Sequence, residues 1–223
     1  MTTPPAPIRL LALLFVLHLA SCGRAPEPVG PTRFMGTVRY QEDGKLLEAT
    51  VSVGMADTTM AYAPPTLLGS VMDPLPRAGA NHYRSRRTLP FPVPLRFGVP
   101  RPGSDNATLE YRFMPPLVDS LPRFLEKTES LRVPVGSQPL ADNESLVVFF
   151  EPVDRSTPRR LQLVGPTKSN YLSVRPAALA DIPPGDYMVY LVKQQLHKVA
   201  DEEVRGSLQT EYFTRSKAVK VRE

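Results

Sequence analysis

The chain has 223 residues, with 26 prolines, one cysteine, no tryptophan and a formal net charge of +5 at neutral pH. Proline in a helix interior costs about 3 kcal/mol, so this composition excludes a fold built from long helices. The single cysteine excludes an internal disulfide framework and a thiolate metal site.

The N-terminal stretch contains the run Leu10–Ala20, which is apolar except for His18. At a rise of about 1.5 Å per residue, this run is too short for a bilayer core about 30 Å thick. It has the length of the apolar region of an export signal, and Arg9 supplies a modest positive charge before it. The sequence therefore predicts export rather than a transmembrane anchor.

The end of the apolar run, Leu19-Ala20-Ser21-Cys22, resembles the lipobox of bacterial lipoproteins. The resemblance covers the first 23 residues and implies cleavage before Cys22 and a diacylglycerol on its sulfur. Each buried methylene contributes about 0.8 kcal/mol, so two acyl chains give a stable membrane anchor. An aspartate after the cysteine tends to retain such lipoproteins in the inner membrane. Gly23 stands there instead, which implies the cell envelope at the outer membrane. The alternative is an ordinary secretory signal with a chance cysteine.

The chain divides into four predicted parts. A signal peptide occupies residues 1–21, and a lipidated cysteine with a proline-rich tether occupies residues 22–32. The tether would extend by about 3.1 Å per residue where it is polyproline-like. Two β-sandwich domains are predicted at 33–116 and 117–223, because Pro115 and Pro116 disfavour helix at the junction.

The first predicted domain opens with a β-hairpin. The strands "FMGTVRYQ" and "LLEATVSVG" flank the turn "EDGK", in which Gly44 stands at a position that tolerates positive φ. Further strands are predicted at "HYRSRR", "VPLRFGV" and "TLEYRFM". Nine prolines between residues 64 and 102 indicate that these strands are edges or are separated by loops.

The second predicted domain is more regular. "SLVVFFEP" is apolar on both faces and is predicted to be a central strand, followed by strands "RRLQLVG" and "YLSVR". "PAALADIPPGD" predicts a single helical turn with proline at its start. "YMVYLVKQQLHKV" and "SLQTEYFTRSKAVKV" are predicted to form a long terminal hairpin. Strands with turn signals every 8 to 12 residues or so favour a sandwich.

Three phrases of the second domain, "LADNESLVVFFEP", "LVGPTKSNYLSV" and "IPPGDYMVYLV", resemble immunoglobulin-like and fibronectin-type modules of bacterial surface lipoproteins. The cysteines and tryptophan of antibody-type domains are absent, which excludes that branch. "GTVRYQEDGKLLEATVSV" also resembles the regulatory-like β-sandwiches associated with carboxypeptidases. The expected fold class is therefore all-β, with two immunoglobulin-like β-sandwich domains.

Few residues in the chain suit catalysis. After cleavage two histidines remain, His82 and His197, and the sequence has no nucleophile elbow, zinc-protease motif, Walker loop or dinucleotide fingerprint. We therefore expect no enzyme activity, no cofactor and no metal, although paired carboxylates stay open as an alternative. The segments Asp142–Glu144 and Asp105-Asn106 carry hard oxygens, and we interpret them as turn caps rather than calcium ligands.

An arginine-rich stretch from residue 77 to residue 101 carries six arginines and no acidic residue. Arginine pairs with carboxylate and phosphate, and sugars stack on aromatic rings, so an anion- or glycan-binding surface is one hypothesis. The other is that the arginines form the solvated face of an edge strand and block aggregation. The candidate binding residues are Arg77, Tyr83, Arg84, Arg86, Arg87, Arg96 and Arg101.

These observations predict a non-catalytic envelope lipoprotein that serves as a structural or binding scaffold. Its expected partners are the membrane, through the lipid on Cys22, and an envelope protein or an anionic glycan. Nucleic acid is not expected as a partner of an exported, lipid-anchored protein. A glycan-binding accessory module and an envelope enzyme of unrecognised class are the alternatives.

Overall fold

The computed structural model describes residues 30–54, 63–75, 81–101, 104–200 and 203–223, and within these residues the fold is all-β. The strands are β1 Thr32–Gln41, β2 Leu46–Gly54, β3 Thr66–Leu67, β4 Ser70–Val71, β5 Asp73–Pro74, β6 His82–Thr88, β7 Leu95–Arg101, β8 Ser104–Tyr111, β9 Phe124–Glu126, β10 Leu131–Pro134, β11 Glu144–Pro152, β12 Arg159–Val164, β13 Tyr171–Val174, β14 Gly185–Ala200, β15 Val204–Phe213 and β16 Lys217–Arg222. A 3-10 turn covers Val118–Ser120, and one short helix, α1, covers Pro176–Leu179.

The strands form three sheets. The largest has ten strands in the order β12-β11-β14-β15-β1-β2-β6-β5, with β16 paired to β14 and β9 paired to β16. A four-stranded sheet has the order β4-β3-β7-β8, and β10 pairs with β13 in a two-stranded sheet. The pairing of β1 with β15 is parallel and joins the two ends of the described chain.

The first core lies between the large sheet and the four-stranded sheet. On β1 and β2, residues alternate between buried and exposed, so Phe34, Val38 and Val51 face inward. Phe34 meets Phe97 of β7 edge-to-face, with ring centroids 5.4 Å apart. Aromatic rings in this arrangement add stability beyond their buried area, and the contact makes this half of the molecule a sandwich.

The second core lies between β11, β14 and β16 on one side and β10 and β13 on the other. Leu146, Val148 and Phe150 of β11 alternate into it, as do Tyr187 and Val189 of β14. Leu179 of α1 and Ile182 close this core at one end. The predicted helical turn is confirmed, with Pro176 in its first turn.

β14 serves both cores. Its first half pairs with β16 and its second half with β15 along the same edge, while β11 occupies the other edge. Tyr187, Val189 and Leu191 face the second core, whereas Val199 packs against the first. β15 adds Val204, Leu208 and Tyr212 to the first core. Residues Pro31–Glu223 form one compact unit, and the boundary between 116 and 117 stays a prediction.

Two local features differ in detail from what the sequence indicates. The hairpin between β1 and β2 forms as predicted, and the residue with positive φ in its turn is Lys45, at 47°, rather than Gly44. The backbone N–H of Lys45 donates to the Glu42 carbonyl and closes the turn. The predicted final strand is two strands, β15 and β16. Thr214 interrupts it by exchanging hydrogen bonds of 2.9 Å with the backbone of Leu191.

Candidate functional site

The predicted lipidation site, Cys22, lies outside the described residues, as does the tether up to residue 29. No helix in the described ranges is both long enough and apolar enough to cross a membrane. The anchor predicted from the lipobox therefore stays a prediction.

The structure brings two of the predicted binding arginines together. Arg84 and Arg86 lie on the exposed face of β6, and both pair with Glu48 of β2, at 2.9 Å and 3.1 Å. Their side chains remain 46% and 62% exposed, so they are accessible to a ligand despite the shared carboxylate. β6 is next to the last strand of its sheet, because the two-residue β5 covers it.

The other predicted binding residues lie apart from this pair. Arg96 is on β7 in the four-stranded sheet and pairs with Glu110 at 2.7 Å. Arg101 ends β7, where it pairs with Glu203 and donates to the Asp105 carbonyl. Tyr83 is buried in the first core, and Arg87 is half-buried near the end of β6. Arg77 lies outside the described residues.

A shallow depression of about 350 Å³ lies on the exposed face of the large sheet, beside Arg84. Its lining combines hydroxyl, amide and imidazole groups with two exposed apolar side chains. The side chains that line it are Met35, Thr37, Thr50, Ser52, His82, Leu196, Ser207 and Gln209. Thr50 is the ladder partner of Arg84, so the arginine stands at the margin of the depression.

His197 lies on the β14–β15 hairpin, as the sequence predicts, and its side chain is half-buried. It projects from the inward face of β14, and its ring centroid is 4.9 Å from that of Tyr111. Its buried Nε2 and the Tyr111 hydroxyl have no hydrogen-bond partner within the described part of the chain. Burial lowers the pKa of His197, and the Glu144 carboxylate partly offsets this effect. Burial also raises the pKa of Tyr111.

A buried ion pair between Lys193 and Glu144 was not expected from the sequence. The Lys193 Nζ atom lies 3.0 Å from the Glu144 carboxylate, and it donates to the Met114 carbonyl at 3.1 Å. The side chain of Lys193 is only 2% exposed. The alternation of side chains along β14 could have predicted that Lys193 is buried. Lys193 follows Tyr187, Val189 and Leu191 on the inward face of this strand.

The segment Asp142–Glu144 closes a turn, as its composition predicts. Asn143 donates from its side-chain amide to the Leu196 carbonyl at 2.9 Å, and Glu144 accepts from the Ala141 N–H at 3.0 Å. Within the described residues, no group of three or more histidine, cysteine or acidic side chains is arranged to hold a metal ion. The hydrogen bonds of Asn143 and Glu144 join this turn to neighbouring backbone groups.

Among the described strands, none pairs with the outer edge of β12 in the large sheet. β12 pairs with β11 on one side and is the last strand on the other. A cavity of about 330 Å³ adjoins it, lined by Arg159, Arg160 and Leu161 of β12 and by Ala178, Asp181 and Ile182 in and after α1. Val164 at the end of this strand is 65% exposed.

No protein-family model matches this chain, and no curated protein matches it either.

Proposed function

We propose that this chain is a lipid-anchored protein of the bacterial cell envelope, a non-catalytic scaffold that binds other envelope components. The observation that carries the proposal is the stretch Leu19-Ala20-Ser21-Cys22 directly after the apolar run. A body of about 190 residues, Pro31–Glu223, would follow the proline-rich tether.

The all-β fold supports a binding role. Its two cores hold the sheets in place, and the exposed sheet faces and strand edges present backbone and side-chain groups to solvent. Rigid scaffolds of this kind place binding residues on loops and edges. The buried polar residues Lys193 and Glu144 are engaged with each other and with backbone groups, which suits a structural role.

Replacement of the cysteine tests the anchor. The full chain and its Cys22→Ser variant are expressed in a bacterial host, and membranes are separated from soluble material. We expect the unchanged chain in the membrane fraction, with an intact mass that includes the acyl groups, and the variant unprocessed and without acyl groups. Ser21→Ala keeps a small residue before the cysteine and should behave as the unchanged chain. A Cys22→Ser protein that is processed and fractionates as before would overturn the proposal.

A second candidate function is the binding of an anionic glycan. The depression beside Arg84 favours it, because hydroxyl and amide groups can hydrogen-bond a sugar while the arginine pairs with its acidic group. Polygalacturonate is the probe, titrated at low and high salt. Arg84→Gln with Arg86→Gln should weaken binding about tenfold, whereas Arg112→Gln with Arg123→Gln should not. Equal losses in both double variants, or binding independent of salt, would exclude this function.

A further inference from the structure

We propose that the free edge of β12 is a docking site for an extended segment of a partner protein, which adds to the large sheet as its next strand. The segment carries apolar residues at alternate positions and an acidic residue near Arg159 and Arg160. This proposal deepens the proposed binding role by specifying a partner, and it does not depend on the lipid anchor.

The geometry of the sheet edge is the first support. β12 has six residues, and at an edge of this kind alternate backbone N–H and C=O groups face away from the sheet. The other ends of the sheet are β5, which has two residues and contains Pro74, and β9, which has three residues. Short strands and proline protect an edge, so the β5 end is closed to strand addition while β12 offers a full length of backbone.

The cavity beside β12 is the second support. Leu161 and Leu163 face the second core but are only partly buried, as is Leu172 of β13. The adjoining cavity of about 330 Å³ is lined by the apolar side chains of Leu161, Ala178 and Ile182 and by the charged side chains of Arg159, Arg160 and Asp181. Side chains of a strand point to alternate faces, so every second residue of an added strand would lie on the side of these leucines. An apolar residue there would complete the margin of the core.

Charge specifies the partner further. Arg159 and Arg160 are exposed, and neither forms an ion pair within the described part of the chain, although Asp181 lines the same cavity. Charged side chains disfavour unspecific strand pairing at an edge. The two arginines do so only over the first third of β12, because Leu161–Val164 carries no charge. β12 has no acidic residue, so the same strand of a second copy would offer no carboxylate to these arginines. An extended segment of a different protein could hydrogen-bond the free backbone groups of β12. An acidic residue in that segment could pair with the arginines.

Three synthetic peptides test the proposal on the full chain in neutral detergent. One alternates valine and threonine and has glutamate at its ends, the second has lysine in place of glutamate, and the third is the acidic peptide with a central proline. We expect the acidic peptide to bind about tenfold or more tightly than the lysine peptide, because it pairs with the arginines. Proline cannot donate to the ladder, so the third peptide should not bind. Hydrogen exchange of the β12 amides should slow with the acidic peptide alone.

Charge reversal provides the matched variants. Arg159→Glu with Arg160→Glu should invert the preference toward the lysine peptide, and both positions are exposed, so the fold is retained. Arg112→Glu with Arg123→Glu makes the same change in charge at exposed positions elsewhere and should keep the original preference. Absence of binding, equal binding of all three peptides, or inversion in both variants would overturn the proposal. A dimer that Gln162→Lys dissociates would also overturn it, since the edge would then hold a second copy.

Discussion

Lys193 and Glu144 form an ion pair of 3.0 Å in which the lysine side chain is 2% exposed and the glutamate 8%. Removing one partner leaves a buried charge without its counter-charge. Lys193→Met should therefore lower the free energy of unfolding by about 3 to 5 kcal/mol, measured by urea denaturation. Lys220→Met removes a pair with Asp186 that is 3.6 Å long and exposed, and it should cost at most about 1 kcal/mol. Equal costs in the two variants would contradict the buried pairing.

His197 should make the stability depend on pH. Burial holds its pKa in the folded protein below the ordinary value of 6.5, so the unfolded chain binds more protons in mildly acidic solution. The contribution of His197 is therefore fully present above about pH 6.5 and is lost progressively as the pH falls below it. Urea midpoints for the protein and for His197→Gln should differ in pH dependence across this window. His82→Gln is the matched control, and its stability should fall with pH as in the original protein. Identical pH profiles for all three proteins would refute the role of His197.

Gly206 should tolerate no side chain. It has a φ of +152°, and a Cβ atom there would overlap the carbonyl group of Phe34, its ladder partner on β1. Gly206→Ala should cost roughly 3 kcal/mol, because the parallel pair of β1 and β15 must separate locally. Gly44→Ala is the control, since the nearest atom to its Cβ is 3.8 Å away. Thermal or urea unfolding measures both, and a Gly206→Ala protein as stable as the control would contradict this packing.

Tyr187 contributes one specific hydrogen bond to the second core. Its hydroxyl donates to the Pro183 carbonyl at 2.8 Å and its side chain is buried. Tyr187→Phe keeps the ring and removes the donor, so it should lower the free energy of unfolding by about 1 kcal/mol. Tyr171→Phe changes a ring that is 41% exposed and should stay within about 0.5 kcal/mol of the original protein. A loss of similar size in both variants would argue against the Tyr187 contact.

Local features of the fold could be predicted from the sequence, because they depend on neighbouring residues. The turn "EDGK" specified the β1–β2 hairpin, and apolar residues on both faces identified β11 as a central strand between β12 and β14. The parallel pairing of β1 with β15 could not be predicted, since alternation indicates which face of a strand is buried but not which strand lies beside it. The break at Thr214 depends on its hydrogen bonds to Leu191, which is distant in sequence.

The candidate site was predicted less well, for the same reason. Residues 77–101 are continuous in sequence, but β6 and β7 belong to different sheets, so Arg84 and Arg96 are separated. Within β6, alternation turns Tyr83 into the first core while Arg84 and Arg86 face solvent. The strand β12 was predicted from "RRLQLVG", but its place at the edge depends on which strands pair beside it in the described sheet. The order of strands in a sheet is not contained in the sequence of any one strand.

The position of β1 has a mechanical consequence. This strand follows the N-terminal segment directly and is hydrogen-bonded along its length to antiparallel β2 on one side and parallel β15 on the other. Tension applied at Thr32 along the strand direction would load both ladders in shear, so their hydrogen bonds would have to yield together rather than one after another. A protein held by that end should therefore withstand pulling better than one whose first strand lies at the margin of a sheet.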